Sequence, residues 1–192
     1  MIAKKNLQTL VALGANLPFA GDAPAETLRK AVAALAGQGV EVLAFSRIFA
    51  TPCFPAGAGP DYVNAAAALK IADQGDLASI LARLHAVEAA FGRKRVQRWG
   101  MRTLDIDLLA VGDSVVPDAA TQARWRDLPL QAQIGATPDQ LILPHPRLQD
   151  RAFVLVPLAD VAPGWVHPLT GLTVRQMLAA LPAADRDAVK PL

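Results

Sequence analysis

The sequence predicts an α+β fold, in which a four-stranded antiparallel sheet has two helices on one of its faces. Two observations lead to this prediction. Short apolar runs typical of strands and two longer segments of helical periodicity follow in the order β-α-β-β-α-β, the split βαβ arrangement. The 192 residues are 53% hydrophobic and 19% charged, which suits one globular domain. We therefore expect a single domain over residues 1–192.

The first half of the chain alternates strand, helix and strand. Residues 7–13 form an apolar run that ends at the turn 14–17, so they predict a buried first strand. Pro24 begins an amphipathic helix, and Gly37 ends it. Residues 40–49 predict the second strand.

A loop and a second helix lead to the last strand of the predicted sheet. Three prolines and two glycines mark 51–60 as a loop, and 62–71 predicts a third strand, antiparallel to the second. Asp76 is expected to cap the second helix, and Gly92 to end it. The strand at 103–111 follows.

The C-terminal part adds elements to this core. Residues 112–140 lose regular periodicity and predict a long excursion that includes a short helix, of the kind that is usually functional or mobile. Regularity returns at 141–147, followed by a short helix or turn over 151–158 and a last helix over 173–181. We find no internal repeat and no second domain.

Composition excludes several classes of protein. The net charge of +2 is too small for bulk attraction to nucleic acid or to an anionic membrane. A single cysteine, Cys53, leaves no partner for an internal disulfide or a cysteine-based zinc site. The first residues show no signal-peptide pattern, and no apolar run reaches membrane-spanning length. We expect a cytoplasmic protein.

The most informative stretch is 93–107. Asp105 and Asp107 are two residues apart in a predicted strand, so their side chains should leave the same face of the sheet. Adjacent carboxylates repel unless a cation neutralises them, and Mg²⁺ binds through one or two carboxylates together with substrate phosphates. The cationic residues that precede the pair are Arg93, Lys94, Arg95, Arg98 and Arg102. The stretch therefore predicts a site for Mg²⁺ and a nucleoside triphosphate.

These features also have structural explanations. A run of Arg and Lys is commonly a solvated loop, and an isolated D-x-D pair is commonly incidental. Apolar neighbours such as Leu104, Ile106 and Leu108 favour function, because carboxylates on an interior strand are costly without a metal or a donor. For Lys94 and Arg98 the solvated-loop interpretation stays open.

Four segments, taken in order, resemble the 6-hydroxymethyl-7,8-dihydropterin pyrophosphokinases of folate biosynthesis. They span residues 10 to about 170, and the third is the most specific because it joins the cationic loop to the acid pair. Two departures, Met101 in place of a usual proline and Ala15 in place of a usual serine, remove no functional group. The segments are 12–17 (ALGANL), 46–52 (SRIFATP) with 60–66 (PDYVNAA), 88–107, and 144–155 (PHPRLQDRAFVL).

The resemblance implies a ferredoxin-like α+β sandwich with C-terminal additions. It also implies transfer of pyrophosphate from ATP to a pterin hydroxymethyl group, with attack at the β-phosphorus and release of AMP. Asp105 and Asp107 would hold two Mg²⁺ ions and act in catalysis with Arg93 and Arg102, and the loop with Arg93 and Arg95 would close over the triphosphate. The implied ATP-binding residues are His85, Glu88, Arg93, Arg95, Trp99, Arg102, His145 and Arg151. The implied pterin-binding residues are Thr51, Pro52, Phe54, Tyr62, Asn64 and Phe153.

Two other functions are compatible with parts of the sequence. RNA-recognition modules also use such a sheet with a basic loop, but their interleaved aromatics are absent, and the acid pair would repel phosphate without a metal. A Mg²⁺-dependent nucleotidyl- or phosphotransferase with another acceptor is a nearer alternative, since only Tyr62, Asn64 and Phe153 argue for a pterin. His85 and Glu88 also fit an exposed i,i+3 pair, and Tyr62 and Phe153 also fit a core role. We expect a monomer that binds neither nucleic acid nor membrane.

Overall fold

The structure, a computed structural model, describes residues 8–53, 57, 59–71, 76–93, 102–129, 132 and 135–192. A 3₁₀ helix at Leu148–Asp150 accompanies the main elements. In chain order these elements are β1 (Thr9–Ala15), α1 (Pro24–Ala36), β2 (Val40–Phe45), β3 (Phe49–Thr51), β4 (Tyr62–Ile71), α2 (Leu77–Ala90), β5 (Asp105–Val111), α3 (Ala119–Arg126), α4 (Ala152–Val161), α5 (Val174–Ala180), α6 (Ala183–Asp187) and β6 (Lys190–Pro191).

The sheet is antiparallel throughout. Its strands lie in the order β5-β1-β4-β3-β6, and β2 pairs with the far end of β4. The predicted α+β fold with an antiparallel sheet is confirmed, but the described residues form six strands in this sheet instead of four. The additional strands are β6, which pairs with β3, and β3 itself, which is separate from β2.

The predicted second strand, 40–49, is broken after Phe45, because side-chain hydrogen bonds at Ser46 and Arg47 interrupt its backbone pairing with β4. Ser46 Oγ accepts a hydrogen bond from the Ala66 N–H at 2.9 Å, and the next N–H, that of Arg47, donates to Asp160 at 3.3 Å. The Arg47 guanidinium also makes a bidentate pair with Asp160, with both N···O distances 2.9 Å. This contact with α4 draws the backbone away from β4, so pairing resumes only at Phe49.

The two predicted helices lie on one face of the sheet, as expected, and the C-terminal helices cover the other face. On one side α1 and α2 bury Leu28, Leu35, Ile80 and Leu84 against the sheet. On the other side α4 and α5 bury residues such as Leu155 and Met177 against a separate cluster. β5 therefore lies between two layers, and any carboxylate on it is partly removed from water.

The helix boundaries follow from caps that the sequence encodes. Asp76 Oδ1 accepts hydrogen bonds from the N–H groups of Ala78 and Ser79, as predicted, at 3.0 and 3.2 Å. Thr173 and Gln176 form a capping box at the start of α5. The excursion contains α3, capped by Asp118. Within the described ranges, no helix has both the length and the apolarity that crossing a bilayer requires.

Candidate active site

The acid pair lies at the start of β5. Ile106 and Leu108 are 5% exposed and pack into the core beneath α1 and α2, so Asp105 and Asp107 face the opposite side, toward α4. Both aspartates are partly buried. Burial, and then the neighbouring charge of Asp107, raise the pKa of the Asp105 carboxyl. The two carboxylates are thus side by side and electrostatically coupled.

Two guanidinium groups offset the charge of Asp105. Arg93 Nη1 lies 2.6 Å from Asp105 Oδ1, and Arg102 forms an ion pair with Oδ2. Oδ1 is buried and accepts no hydrogen bond of good geometry from a described residue. Asp107, in contrast, has no ion pair with any residue in the described ranges. The pair therefore combines one carboxylate held between two arginines and one that no described residue pairs with.

Glu88 links the end of α2 to β5. Its side chain is buried, and Oε1 accepts a hydrogen bond from the Ile106 N–H at 2.7 Å while pairing with Arg93. Burial raises the pKa of Glu88, although the Ile106 N–H and Arg93 oppose the rise. Gly92 ends the helix with φ +75°, where a Cβ would also lie 2.5 Å from a Phe19 ring carbon. The end of α2 thus places the Arg93 side chain next to Asp105.

Asn16 fixes the entry to β5, a role that its sequence context did not predict. It is 2% exposed. Its Oδ1 accepts from the Arg102 N–H at 2.8 Å, and the Arg102 carbonyl accepts from the N–H groups of Asn16 and Leu17 at 3.0 and 3.1 Å. Nδ2 donates to the Pro60 carbonyl at 3.3 Å. The position of this asparagine in a Gly-Ala-Asn turn directly after an apolar strand was the available signal, but it does not identify the partners of the side chain.

A row of residues runs across the sheet from the acids to the predicted pterin side. Gly14 on β1 pairs with both Asp105 on β5 and Asn64 on β4, so all three residues share one face. With strands spaced at about 4.8 Å, Asp105 and Asn64 lie about 10 Å apart. A Cβ on Gly14 would approach Asn64 Oδ1 to 3.2 Å. The glycine therefore leaves open space between carboxylate and amide.

Tyr62 and Thr51 extend this row at the edge of β4. Asn64 Nδ2 donates to Thr51 Oγ1 at 2.6 Å, and Thr51 pairs with Tyr62 across β3 and β4. Burial raises the pKa of Tyr62. The positive charge of Arg102 opposes this rise, and the negative charge of Asp105 adds to it. The phenol is therefore within electrostatic reach of the acid site. Pro52, in the same connection, is exposed.

Arg151 and Phe153 approach from the start of α4. The Arg151 guanidinium carbon lies 5.7 Å from the centre of the Phe153 ring, which is 39% exposed. Burial lowers the pKa of Arg151, and the charge of Asp107 opposes this. Arg151 is thus a third cation near the acids, and the accessible ring beside it is suited to stacking.

His145 lies in the segment before α4 and is neutral at physiological pH. Burial, and then the charges of Arg151 and Arg147, lower its pKa to about 3. Its Nδ1 accepts a hydrogen bond from the Arg147 N–H at 3.1 Å, so the ring proton is on Nε2. A neutral imidazole with its proton on Nε2 is a hydrogen-bond donor that carries no charge.

The structure brings most predicted residues to one side of the sheet, but not all of them can be placed. His85 lies on the exposed side of α2, and its contact with ATP stays a prediction. The predicted residues outside the described ranges are Phe54, Arg95 and Trp99, together with Lys94, Arg98 and Met101. Around Asp105 the structure assembles Asp107, Glu88, Arg93, Arg102, His145, Arg151 and Tyr62.

The residues at this site fit a divalent cation that arrives with a polyphosphate. Two adjacent carboxylates are hard oxygen ligands of the kind Mg²⁺ uses, and the buried Oδ1 of Asp105 has an ion pair with Arg93 but no hydrogen bond from a described residue. Within the described ranges, no group of three or more His, Cys, Asp or Glu side chains could hold a metal alone. Substrate oxygens would therefore have to complete the coordination shell, as is usual for Mg²⁺.

Comparison with solved structures supports the fold. Crystal structures of Plasmodium falciparum HPPK-DHPS resemble this chain, with a TM-score of 0.60 for the wild type with SDX-DHP and 0.61 for the wild type with pteroate. The first alignment covers 90% of this chain and 43% of the Plasmodium chain at 13% identity. Similarity at this level of identity shows a shared fold alone.

Comparison of sequences identifies the family. A Synechocystis protein named 2-amino-4-hydroxy-6-hydroxymethyldihydropteridine pyrophosphokinase is 37% identical over 69% of this chain, but the match covers only 55% of that protein. A Methylorubrum extorquens protein of the same name is 36% identical over 93% of this chain and 96% of its own length. Residues 10–163 match the family described as 7,8-dihydro-6-hydroxymethylpterin-pyrophosphokinase (HPPK). This chain belongs to that family.

Proposed function

We propose that this chain transfers pyrophosphate from ATP to the hydroxymethyl group of 6-hydroxymethyl-7,8-dihydropterin in folate biosynthesis, and so releases AMP. The single observation that carries the proposal is the site around Asp105 and Asp107. Three guanidinium groups surround these carboxylates, and the row through Gly14 leads from them to Asn64. The names of the family and of its relatives support the same reaction.

The site residues supply positioning and charge for this transfer, since phosphoryl chemistry needs little covalent work from the protein. Two Mg²⁺ ions, when bound with ATP, would neutralise the triphosphate and make the attacking hydroxyl more acidic. Arg93 and Arg102 would act as phosphate clamps, because both guanidinium groups lie beside the acid pair and could bind phosphate oxygens if Asp105 held a cation. Arg151 adds charge, and His145 donates from Nε2.

Glu88 has a different part in this proposal from the one that the sequence predicts. Its carboxylate is occupied by the Ile106 N–H and by Arg93, so it positions the acid strand and the clamp. A direct contact between Glu88 and ATP stays a prediction, as do the ATP contacts of His85, Arg95 and Trp99.

The pterin is a flat polar bicycle that requires aromatic faces and hydrogen bonds. Tyr62 and Phe153 would stack against it, and Asn64 Oδ1 and the second N–H of its amide remain to read its edge after Nδ2 donates to Thr51. Backbone groups of Thr51, Pro52 and Phe54 would complete the contact. We further propose that β1 to β5 with α1 and α2 form a ferredoxin-like core, and that the chain acts as a cytoplasmic monomer.

The test is product formation by the purified chain. With ATP, 6-hydroxymethyl-7,8-dihydropterin and Mg²⁺, chromatography should show AMP and the pterin diphosphate in equal amounts, and chelation of the metal should stop both. A dihydropterin with a methyl group in place of the hydroxymethyl group should compete for the site and yield no AMP. Release of ADP or phosphate instead of AMP, or AMP formation that ignores the pterin, would contradict the proposal.

A further inference from the structure

The excursion between β5 and α4 contains a polar side chain that is completely buried. Gln122, on α3, is 0% exposed, which is uncommon for glutamine unless its amide is hydrogen-bonded. Its Nε2 donates to the Pro144 carbonyl at 3.1 Å, and its Oε1 accepts from Arg126 Nη1 at 3.5 Å. The amide therefore connects α3 to the residue that immediately precedes His145.

Several backbone contacts hold His145 at this point. Its N–H donates to the Leu109 carbonyl at 2.8 Å, where the pairing of β5 with β1 is irregular, and its own carbonyl accepts from the Leu148 N–H at 3.0 Å. Its ring accepts from the Arg147 N–H at 3.1 Å. Gln122 acts on the peptide bond between Pro144 and His145, because the carbonyl of that peptide accepts the Gln122 hydrogen bond.

The excursion is docked onto the domain near this contact. Val116 and Leu143 exchange two backbone hydrogen bonds of 2.9 and 3.0 Å. The Gly112 carbonyl accepts from Trp165 Nε1 at 2.9 Å. These contacts fix the start of the excursion to the segment that leads into Pro144, so α3 has a defined place from which Gln122 can act.

We propose that Gln122 is a positioning residue, which holds the Pro144 carbonyl so that the His145 ring directs its Nε2–H toward the polyphosphate of ATP. The excursion thereby braces the wall of the site that binds ATP, through a side chain that does not touch substrate. The inference rests on the proposed function for the identity of the ligand, but the brace itself is a property of the free chain.

Substitution of Gln122 tests the brace. Gln122→Met removes the donor at similar volume, and Gln122→Glu keeps an acceptor for Arg126 but cannot donate to Pro144. For each variant we expect the KM for ATP to rise on the order of 10- to 100-fold, since a displacement near 1 Å is enough for such losses. The KM for the pterin should stay unchanged. Arg124→Ala, on the exposed side of α3, is the matched control and should behave as wild type.

A second measurement does not require turnover. Nitrogen NMR of the His145 ring in the free chain should show one neutral tautomer in wild type and in Arg124→Ala, and a shifted or exchanging ring in the Gln122 variants. Loss of folded protein alone would lower the amount of active enzyme and leave both KM values as they were. The inference is overturned if the Gln122 variants keep the wild-type His145 signals and the wild-type KM for ATP. If the wild-type chain forms no AMP, the proposed function fails, and the NMR comparison still decides the brace.

Discussion

Two histidines with lowered pKa values should make the folded chain sensitive to acid. Burial is the first cause in both cases, and it lowers the pKa of His145 to about 3 and that of His167 to about 4. In the unfolded chain both titrate near 6.5. Because the folded pKa is depressed, the unfolded state takes up protons first as the pH falls, so stability is lost below about pH 6.5. At pH 5 the loss is about 2 kcal/mol for each histidine, at 1.36 kcal/mol per pKa unit.

The variant His167→Asn isolates the loss of stability that protonation of His167 causes. His167 Nδ1 accepts from the N–H groups of Leu169 and Thr170 at 3.2 and 3.3 Å, and an asparagine oxygen can take the same place without titrating. Urea unfolding of wild type and His167→Asn at pH 7 and pH 5 should show that the wild type loses about 2 kcal/mol more than the variant. Wild type must be compared with His167→Asn, because Glu88 and Asp105 change the stability in the opposite direction as the pH falls.

The sign for those two acids follows from their raised pKa values. Their stabilising contribution is present below the pKa of the unfolded chain, and it is lost as the pH rises through the folded value. They therefore oppose the histidines in wild type and in His167→Asn alike, and they cancel in the difference. Equal losses of stability in the two proteins between pH 7 and pH 5 would refute the assignment of a buried neutral His167.

Three further outcomes follow from the site. The chain has one tyrosine, so ultraviolet titration reports Tyr62 alone, and Arg102→Ala should raise its pKa further; an unchanged titration would place the phenol away from the acid site. Glu88→Ala should lower the free energy of unfolding in urea by about 3–5 kcal/mol, and Glu88→Gln should lower it much less. Glutamine keeps an acceptor for the buried N–H of Ile106 on β5, so equal losses would contradict the role of Glu88 as that acceptor. Gly14→Ala adds a Cβ 3.2 Å from Asn64 Oδ1 and should raise the KM for the pterin on the order of tenfold while that for ATP is kept.

Local signals in the sequence were enough to predict the boundaries of those strands and helices that end at turn or capping residues. The third strand was predicted at 62–71, where β4 lies, and the cap at Asp76 was predicted correctly. The break after β2 could not be predicted, because it depends on the pairing of Arg47 with Asp160, which is 113 positions away. No short-range pattern reports such a contact.

The second helical layer was missed although the sequence contains a signal for it. Residues 65–68 of β4 are all buried, as are 108–111 of β5, and continuous apolar runs of this kind indicate strands covered on both faces. At the site, the spacing of Asp105 and Asp107 predicted their common face. The buried roles of Asn16 and Gln122 depend on backbone carbonyls distant in sequence, which residue type alone does not identify.

The most direct test of the central claim is the Mg²⁺ dependence of AMP formation by wild type, Asp105→Asn and Asp107→Asn, with Asp139→Asn as an exposed control. Each protein is first shown to be folded by circular dichroism. If the acid pair receives the metal and the polyphosphate, wild type and the control will form AMP only with Mg²⁺, and both site variants will be inactive at any metal concentration. Wild-type turnover in either folded site variant, or AMP formation by wild type with the metal chelated, would contradict the account.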